Sequence, residues 1–518
     1  MVQRAEDTPD RTLIHDVTSE VSLSYGDVVR LAREYAGALI AMGCSSSNGS
    51  RIAAMLPNGA EAFVAQTGMA WAGAIFVPVS PSLRGQPLTH VLRESRAEVV
   101  LTLASCVPTL AEIWHDLEPG MRVVVIDDAD TYNSDVPVIR REQFLASGLP
   151  VTAKPVNPEA TRAIIFTSGT SGPPKPVALS FGAMDNYARH LFPDAGFEWS
   201  DDAGYYSPWG MTHALGSIGM SVAIHRGLHL VVRDRFEIDH FWSDVSKHNV
   251  EACLIISVSH LLWQQEEVDA EVNNPLRLVG MTPLIREYPD FAARFGLRIS
   301  SIYGMTEIGP AITHLDPVSA ESAGKPTDGY NCRIVDPDGL DVPEGTVGEL
   351  MVCHADTRLL MSGYDGLPDA TAKAWERGWF RTGDRFVVKA GQYCFVDRLT
   401  DSIRHRGRNI SSFEVEGEAL AHPAVAACAC VGHRVSLPGD DDRQYDEDVR
   451  LFVVAAAAEM VDPEDLVKYL SEKLPAYMVP KYIDLVAEIP TNASGRSLKA
   501  ELRLRPITES TWTRTAAG

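Results

Sequence analysis

The segment of residues 163–175 constrains the fold of this chain more than any other stretch. It reads A-I-I-F-T-S-G-T-S-G-P-P-K, so a short apolar run leads directly into a loop rich in hydroxyls and glycine that ends at Lys175. The run 163–166 has the length and apolar character of a buried strand. A strand that ends in such a loop gathers backbone N–H groups, hydroxyls and one ammonium, which together suit a polyphosphate.

The residues expected to bind phosphate are the members of this loop and the lysine that closes it: Thr167, Ser168, Gly169, Thr170, Ser171, Gly172 and Lys175. The loop is not a Walker A loop, because no Gly-Lys-Ser/Thr sequence closes it. An exposed Ser/Gly linker is the alternative interpretation. Linkers seldom follow a buried strand directly or end in Pro-Pro-Lys, so the sequence predicts a phosphate-binding site here.

Length and charge narrow the classes of protein further. A chain of 518 residues is too long for one hydrophobic core, and roughly two to four domains are expected. The formal net charge of -23 argues against a nucleic-acid partner, which needs a basic face, and against adhesion to an anionic membrane.

One long uncharged stretch, residues 62–79, has the length of a membrane helix. It is interrupted by Gln66, Gly68, Gly73 and Pro78, so a buried helix that runs into a buried strand is the better interpretation. The N-terminus is polar and lacks the apolar core of a secretory signal. No membrane span and a cytoplasmic location are therefore expected.

Helical and strand patterns alternate along the chain, which predicts α/β layers. Residues 25–42 have apolar positions at helical spacing after Ser24, a suitable N-cap. Residues 99–103 and 123–126 have the pattern of short buried strands, and the turn-rich region 324–349 suggests a β-rich subdomain.

The C-terminal part has the same mixture of patterns. Strand-like runs occur at 426–431 and 449–454, and helical patterns occur at 414–421 and 463–474.

The loop 167–175 resembles the signature loop of the adenylate-forming superfamily, which contains acyl-CoA synthetases, peptide-synthetase adenylation domains and luciferases. The usual loop ends Pro-Lys-Gly, whereas Pro176 follows Lys175 here, which removes a backbone donor and stiffens the loop exit. Further motifs follow in the family's order, and the resemblance extends from about Tyr25 to Leu502. It implies an AMP-forming ligase that uses ATP and Mg²⁺.

The run Tyr303-Gly304-Met305-Thr306-Glu307 resembles the family's Y-G-x-T-E motif. The resemblance implies that Tyr303 lies near adenine, that Thr306 contacts the α-phosphate and that Glu307 helps to hold Mg²⁺. A carboxylate suits a hard cation that offsets polyphosphate charge.

Two later motifs complete the expected nucleotide site. Residues 379–384, W-F-R-T-G-D, resemble the motif whose aspartate binds the ribose hydroxyls, which assigns that role to Asp384. The run 397–400, D-R-L-T, resembles the hinge segment, in which Arg398 would add to ribose and phosphate binding. Thr400 takes the place of the pivot, which is commonly Asp or Lys.

The hinge motif divides the predicted fold. The fold class is α/β, with a large N-terminal domain of several subdomains, residues 1–399, that binds ATP and the acid, and a mobile α+β C-terminal domain, residues 400–518. The run 409–416, N-I-S-S-F-E-V-E, is most similar to ligases of the carnitine-CoA type, and it favours CoA as acceptor. Without the other motifs, the basic residues just before this run would be interpreted as an exposed turn.

The acid pocket is predicted from two further segments. Residues 207–213, S-P-W-G-M-T-H, match the segment that lines the acid pocket, which places Trp209 and His213 there. A lone histidine is as often a satisfied core residue. Gly280 begins a partial match to the adenine-binding turn. Trp209, Met211 and His213 favour an aromatic or medium-sized acid over a long fatty acid.

The family's last motif, P-x-T-x-x-G-K, has Arg496 in place of its catalytic lysine. Arginine keeps the charge but is wider and grips oxyanions bidentately. It can replace lysine with some loss of rate, suit a differently shaped oxyanion, or leave adenylation inactive. Lys499 lies three residues further on and cannot substitute without a shifted loop.

Three functions follow from these motifs. The first is a ligase that activates a carboxylic acid as acyl-AMP and transfers it to a thiol, with CoA as the expected co-substrate. The second keeps adenylation but changes the partners, as in amide synthetases or in the nitrite-activating diazotases of bacterial secondary metabolism, which act on an aryl amine. The third is a weakly active nucleotide-binding homologue. A homodimer is left open.

Overall fold

The computed structural model describes the chain except for residues 128–134, 153–155, 168–173, 195, 267, 269–270, 272, 406–407, 436–445, 457–460, 492–496 and 515–518. The predicted site residues that lie outside the described part are Ser168, Gly169, Thr170, Ser171, Gly172 and Arg496.

One sheet of the large domain carries both ends of the phosphate-loop segment. Across the described part of the chain, its strands follow the order Gly363–Tyr364, Lys175–Ser180, Thr161–Thr167, Ile75–Pro78, Arg51–Met55, Val99–Thr102, Arg122–Val125 and Val138–Arg140. Pairing is parallel from Thr161–Thr167 to the last strand and antiparallel between Thr161–Thr167 and Lys175–Ser180. Thr167 therefore lies at the carboxyl edge of the parallel strands, where ligands bind in open α/β sheets.

A second, longer sheet carries the other nucleotide motifs. Its strands, as far as the chain is described, follow the order Tyr330–Val335, Gly348–His354, Trp379–Lys389, Gln392–Arg398, Ser322–Pro326, Gly309–Leu315, Arg298–Met305, Leu278–Thr282, Val250–Ile256, Gly204–Ser207, His229–Val232, Thr12–Asp16 and Val21–Ser24. Trp375–Glu376 pairs with Trp379–Lys389. The strands before Gly309 pair in parallel except at the Val21–Ser24 edge, and those from Gly309 onward pair antiparallel, so the antiparallel half is the predicted β-rich subdomain.

Helices cover and join these sheets. Those of the large domain are Val2–Asp7, Tyr25–Ala41, Ala60–Ala72, Gly85–Ser95, Val107–Ile113, Arg141–Ala146, Phe181–His190, Ala214–Ser217, Gly219–Arg226, Ile238–Lys247, Ser259–Gln264, Tyr288–Phe295 and Pro368–Ala374. Ala60–Ala72 contacts strands of both sheets, and its buried side chains belong to the largest core cluster. It is followed by the buried strand Ile75–Pro78, as predicted for residues 62–79.

The C-terminal part has a core of its own, formed by residues from Ile403 onward. It contains the hairpin Ile403–His405 and Arg408–Ile410 and a sheet with the order Val425–Val435, Asp446–Ala455, Tyr482–Leu485 and Trp512–Thr513. Its helices in the described part are Ser412–Leu420, Pro463–Lys473 and Lys499–Leu504. A separate core is what makes a segment a domain. The predicted fold class is confirmed, while the boundary between residues 399 and 400 stays a prediction.

The start of Tyr25–Ala41 shows why local prediction succeeds. The Ser24 hydroxyl accepts a hydrogen bond from the Asp27 amide, and the Asp27 carboxylate accepts one from the Ser24 amide, which forms a capping box. In the described part of the chain, no helix is both long and apolar enough to cross a membrane.

Candidate active site

Three residues predicted to bind the ribose and adenine come together in the second sheet. Asp384 and Arg398 are direct partners on neighbouring strands, and the Arg398 guanidinium lies 3.1 Å from the Asp384 carboxylate. The Tyr303 hydroxyl donates a hydrogen bond of 2.8 Å to the same carboxylate. Burial and the adjacent Asp384 raise the pKa of Tyr303 well above its ordinary value, so its hydroxyl stays a donor.

Glu307 lies at a tight turn between two strands of this sheet. A Cβ on Gly304 would lie only 2.2 Å from the carbonyl oxygen of Gly309, so a side chain at 304 would not fit the turn. The turn places half-buried Thr306 and buried Glu307 next to each other at its apex. The glycine of the Y-G-x-T-E sequence is therefore needed for the shape of this turn.

Glu307 also contacts groups from the first sheet. The Tyr364 hydroxyl donates a hydrogen bond of 3.0 Å to Glu307, and the Lys175 ammonium lies 5.0 Å from the centre of the Tyr364 ring. Burial raises the pKa of Glu307, while the Tyr364 hydrogen bond and the positive charges of Arg398 and Lys175 oppose that rise. The positive charges of Arg398, in the second sheet, and of Lys175, in the first, therefore both favour the ionised form of Glu307.

The two described ends of the phosphate loop are held in register. Thr167 and Lys175 are partners across antiparallel strands, and the Thr167 hydroxyl donates a hydrogen bond of 3.4 Å to the Lys175 carbonyl. The structure therefore holds the two ends of the predicted loop together and places the Lys175 end beside Tyr364.

Trp209 and Gly280, two of the three predicted acid-pocket residues, both contact the strand Val250–Ile256. The Trp209 indole donates a hydrogen bond of 2.8 Å to the carbonyl of Leu254 and stacks on Phe236, with 5.9 Å between ring centroids. Gly280 is the register partner of Leu254. A Cβ on Gly280 would lie within 2.9 Å of Leu254, Ile302 and Phe192 side-chain atoms, so the glycine leaves room for an apolar wall.

His213 has a structural contact that the sequence did not predict. Its Nδ1 accepts a hydrogen bond of 3.3 Å from the Leu215 amide and caps the helix Ala214–Ser217. Burial lowers the pKa of His213 to about 4, so the ring is neutral at physiological pH. This geometry accounts for His213 as a capping residue, and its place in the acid pocket stays a prediction.

The His213 cap predicts a pH dependence of stability. Because burial lowers its pKa from 6.5 to about 4, the unfolded chain binds a proton that the folded chain excludes. Stability is therefore lost as the pH falls below about 6.5. We expect His213→Asn, which keeps a capping acceptor, to lose less thermal stability than the wild type between about pH 7 and pH 5. Calorimetric melting temperatures measure this, and equal losses in both proteins would contradict it.

Two family models match this chain, one within the large domain and one within the C-terminal domain. The family model described as AMP-binding enzyme matches residues 1–365, and the model described as AMP-binding enzyme C-terminal domain matches residues 414–496. The chain belongs to the AMP-binding enzyme family. The predicted superfamily and the predicted class of AMP-forming ligase are confirmed.

Relatives of this AMP-binding enzyme include two CoA-utilising groups. A feruloyl-CoA synthase from Amycolatopsis sp is 28% identical over 520 residues, covering 97% of this chain and 98% of that protein. A crotonobetaine/carnitine–CoA ligase from Citrobacter koseri is 27% identical over 485 residues, covering 88% of each chain.

Solved structures share the fold. An anthranilate CoA ligase in complex with anthranoyl-AMP has a TM-score of 0.82 at 21% identity, covering 96% of this chain and 95% of that one. An O-succinylbenzoate coenzyme A synthetase from Bacillus subtilis, in complex with ATP and magnesium ion, has a TM-score of 0.78 at 22% identity, covering 97% and 98%.

The predicted hinge of this AMP-binding enzyme lies in an exposed turn. The carbonyl of Thr400 accepts a hydrogen bond of 2.8 Å from Arg503, which also donates to the Asp401 carboxylate at 2.9 Å. Both contacts tie the turn to the helix Lys499–Leu504. The role of Thr400 as pivot stays a prediction.

The Lys499 side chain is bound by two residues of the C-terminal domain, Glu416 and Ser412. Its ammonium lies 2.9 Å from the Glu416 carboxylate and donates a hydrogen bond of 2.6 Å to Ser412. Burial alone would lower the pKa of Lys499, but the carboxylates of Glu416 and Asp397 raise it above its ordinary value. Lys499 is therefore not a free replacement for the lysine that Arg496 displaces in the sequence.

Two of the contacts between the C-terminal domain and the large one lie away from the predicted hinge. Arg286 forms a bidentate ion pair with Glu418, with one contact at 2.9 Å, and His260 Nε2 lies 3.0 Å from the carbonyl oxygen of Ala426. Arg286 is half exposed, whereas Glu418 is buried. We define Arg286, Glu418, His260 and Ala426 as the domain latch.

Breaking the latch is expected to change the resting orientation of the domains. Arg286→Ala leaves Glu418 without its partner, so the observed arrangement loses stability relative to others. Spin labels on the two domains should then report a broader distance distribution by electron–electron dipolar spectroscopy. Arg286→Lys, which keeps a charge, is the control and should broaden it less. An unchanged distribution in Arg286→Ala would contradict this role.

Tyr364 is the residue of this site that sequence reasoning missed. It lies in Gly363-Tyr364-Asp365-Gly366, a short turn-like run with no charge or spacing pattern that indicates a site. Two tertiary contacts bring it into the site: the pairing of Gly363–Tyr364 with Lys175–Ser180, and a hydrogen bond of 2.8 Å from the Met361 amide to the Glu307 carbonyl.

Proposed function

We propose that this AMP-binding enzyme activates a carboxylic acid with ATP as acyl-AMP and transfers the acyl group to CoA. The observation that carries the proposal is the convergence of Asp384, Glu307 and Lys175. Asp384 offers a buried carboxylate for ribose hydroxyls. Glu307 accepts a hydrogen bond from the Tyr364 hydroxyl, and the ammonium of Lys175, which ends the phosphate loop, lies over the Tyr364 ring.

The donors around Glu307 fit Mg²⁺. Mg²⁺ is usually held by one or two carboxylates together with substrate phosphates and water, and Glu307 is one buried carboxylate, which Tyr364 links to Lys175. No larger cluster of His, Cys, Asp and Glu side chains forms a metal site in the described part of the chain. When bound there, Mg²⁺ would neutralise charge on the polyphosphate.

The residues present support an in-line displacement. A carboxylate oxygen of the acid forms a bond to the α-phosphorus of ATP, and the bond from that phosphorus to pyrophosphate breaks. Lys175 and Thr306 would stabilise charge on the phosphoryl oxygens. The thiolate of CoA then attacks the acyl carbon, and AMP leaves with the oxygen that joined it to the acyl group. Rotation about Thr400 would let one site serve both steps.

The residues expected to line the acid pocket support an aromatic or similarly sized acid. The stacked Trp209 and Phe236 rings form an aromatic surface that suits a flat apolar substrate. Feruloyl-CoA synthase and anthranilate CoA ligase, among the similar proteins, are named for aromatic acids.

A second candidate is an adenylating enzyme with a different oxyanion and acceptor, such as a diazotase that uses nitrite and an aryl amine, or an amide synthetase. One observation favours it: Arg496 stands where the family has lysine, and Lys499 is engaged by Glu416. Arginine binds small planar oxyanions bidentately.

Chromatographic measurement of AMP tests both candidates. The purified protein with MgATP is incubated with aryl, medium-chain and amino-substituted acids, each with and without CoA, and with nitrite plus an aryl amine. AMP together with an acyl-CoA thioester supports the first proposal. AMP that requires nitrite and amine supports the second. Binding of ATP without AMP from any mixture would contradict both and support a nucleotide-binding homologue.

A further inference from the structure

Tyr364 contacts both charged groups that flank the expected polyphosphate. Its hydroxyl donates to the Glu307 carboxylate at 3.0 Å, and its ring lies 5.0 Å from the Lys175 ammonium. One side chain thus binds an anion through its edge and a cation through its face. Glu307 and Lys175 come from different sheets, and Tyr364 spans the space between them.

The backbone of Tyr364 is fixed to the phosphate-loop strand. Tyr364 pairs with Val177 across the antiparallel strands Gly363–Tyr364 and Lys175–Ser180. Its amide donates a hydrogen bond of 2.9 Å to the hydroxyl of Thr371, and the residue is 8% exposed. The ring therefore has little freedom to leave its place under Lys175.

The next residue anchors the same segment a second time. The Asp365 carboxylate accepts hydrogen bonds from Arg51 at 2.6 and 3.0 Å and from Arg96 at 2.6 Å. Its amide donates to the carbonyl of Pro176 at 2.8 Å. The backbone bond thus ties the segment that carries Tyr364 to the strand Lys175–Ser180, and the two arginines tie it to the strand Arg51–Met55 and to the end of the helix Gly85–Ser95.

We propose that Tyr364 is a positioning residue that holds the Glu307 carboxylate and the Lys175 ammonium at a fixed separation for MgATP. This inference rests on the proposed function, because that function assigns both groups to the nucleotide. Groups that are held before the ligand arrives lose no further freedom when it binds. The hydroxyl orients Glu307 toward the cation, and the ring keeps Lys175 directed at the phosphates.

A purely structural tyrosine is the competing interpretation, in which Glu307 only satisfies a buried hydroxyl. The two interpretations differ in what happens to ligand binding. A structural role predicts lower thermal stability with unchanged nucleotide affinity. A positioning role predicts separate defects in the Mg²⁺ requirement and in ATP affinity, because the hydroxyl and the ring act on different groups.

Three variants separate these effects. Tyr364→Phe removes the hydroxyl and keeps the ring, whereas Tyr364→Leu removes both. Tyr288→Phe is the matched control, because the Tyr288 hydroxyl donates a hydrogen bond of 2.7 Å to the Pro317 carbonyl outside the candidate site. For each protein, titration calorimetry gives the affinity for ATP at saturating Mg²⁺ and the Mg²⁺ concentration that half-saturates ATP binding, and differential scanning calorimetry gives the melting temperature.

In Tyr364→Phe we expect the half-saturating Mg²⁺ concentration to rise roughly tenfold, since the lost bond was made to a charged group. Affinity at saturating Mg²⁺ should change little in this variant. Tyr364→Leu should show the same Mg²⁺ defect and lose a further two- to fivefold, roughly, in ATP affinity, because Lys175 loses the ring. Tyr288→Phe should keep both values.

An unchanged or lower Mg²⁺ requirement in Tyr364→Phe would overturn the proposal, as would equal losses in Tyr364→Phe and Tyr364→Leu. These outcomes are measured by binding alone. A wild-type protein that binds MgATP but turns over no substrate mixture would therefore contradict the proposed function and still decide the role of Tyr364. A wild type that binds no MgATP would overturn both.

Discussion

Glu307→Gln is expected to slow AMP formation by about 10²–10³-fold while the protein stays folded. Glutamine has nearly the same shape as glutamate, and its amide oxygen still accepts the hydrogen bond from Tyr364. The substitution removes the charge that a hard cation needs at this position. Burial already raises the pKa of Glu307, so the site has no surplus of negative charge to lose.

The rate of AMP release at saturating ATP, with an acid that the wild type accepts, measures this effect. Glu251→Gln is the matched control, because Glu251 is also buried and accepts from Arg277 and from the Ser200 amide, outside the candidate site. It should keep close to the wild-type rate. A Glu307→Gln enzyme with wild-type turnover would exclude Glu307 from the chemistry.

Asp384→Ala is expected to weaken ATP binding by about 2–4 kcal/mol, or roughly 30- to 1000-fold in Kd. The carboxylate accepts from Tyr303 and pairs with Arg398, and it is 3% exposed. Its removal takes away the acceptor expected for the ribose hydroxyls. It also leaves a buried tyrosine hydroxyl and a guanidinium without their shared partner.

Titration calorimetry with ATP measures the affinity, and melting temperatures separate it from unfolding. Asp384→Asn is the informative companion variant, because its amide oxygen still accepts from Tyr303 but carries no charge for Arg398. We expect its loss of affinity to lie between those of the wild type and Asp384→Ala. Wild-type affinity in Asp384→Ala would show that the nucleotide binds elsewhere.

Much of the fold could be predicted from local sequence. The helix after Ser24 begins where its capping box requires, and the strand Thr161–Thr167 lies where the apolar run before the phosphate loop predicted one. Residues 426–431 and 449–454 lie in the strands Val425–Val435 and Asp446–Ala455. These elements depend on side chains within a few residues of one another, so the sequence states them directly.

The candidate site was predictable as a set of residues but not as a geometry. Tyr303, Glu307, Asp384 and Arg398 were identified by resemblance, and the second sheet brings them together. The capping contact of His213 was not predicted, because it depends on how the segment before the helix Ala214–Ser217 turns. The roles of these residues stay predictions until the variants are measured.

By itself the sequence determined the local elements and the types of charged group available for a nucleotide. The tertiary structure decided which of those groups meet. Tyr364 lies 57 positions after Glu307 and 189 after Lys175 in the chain, and tertiary contacts join them: the pairing of Tyr364 with Val177 and the hydrogen bond from the Met361 amide to the Glu307 carbonyl. The ion pair between Lys499 and Glu416 likewise joins residues that are far apart in the sequence. The physical reason is that hydrogen bonds and ion pairs act over a few ångströms, and packing of distant segments sets those distances.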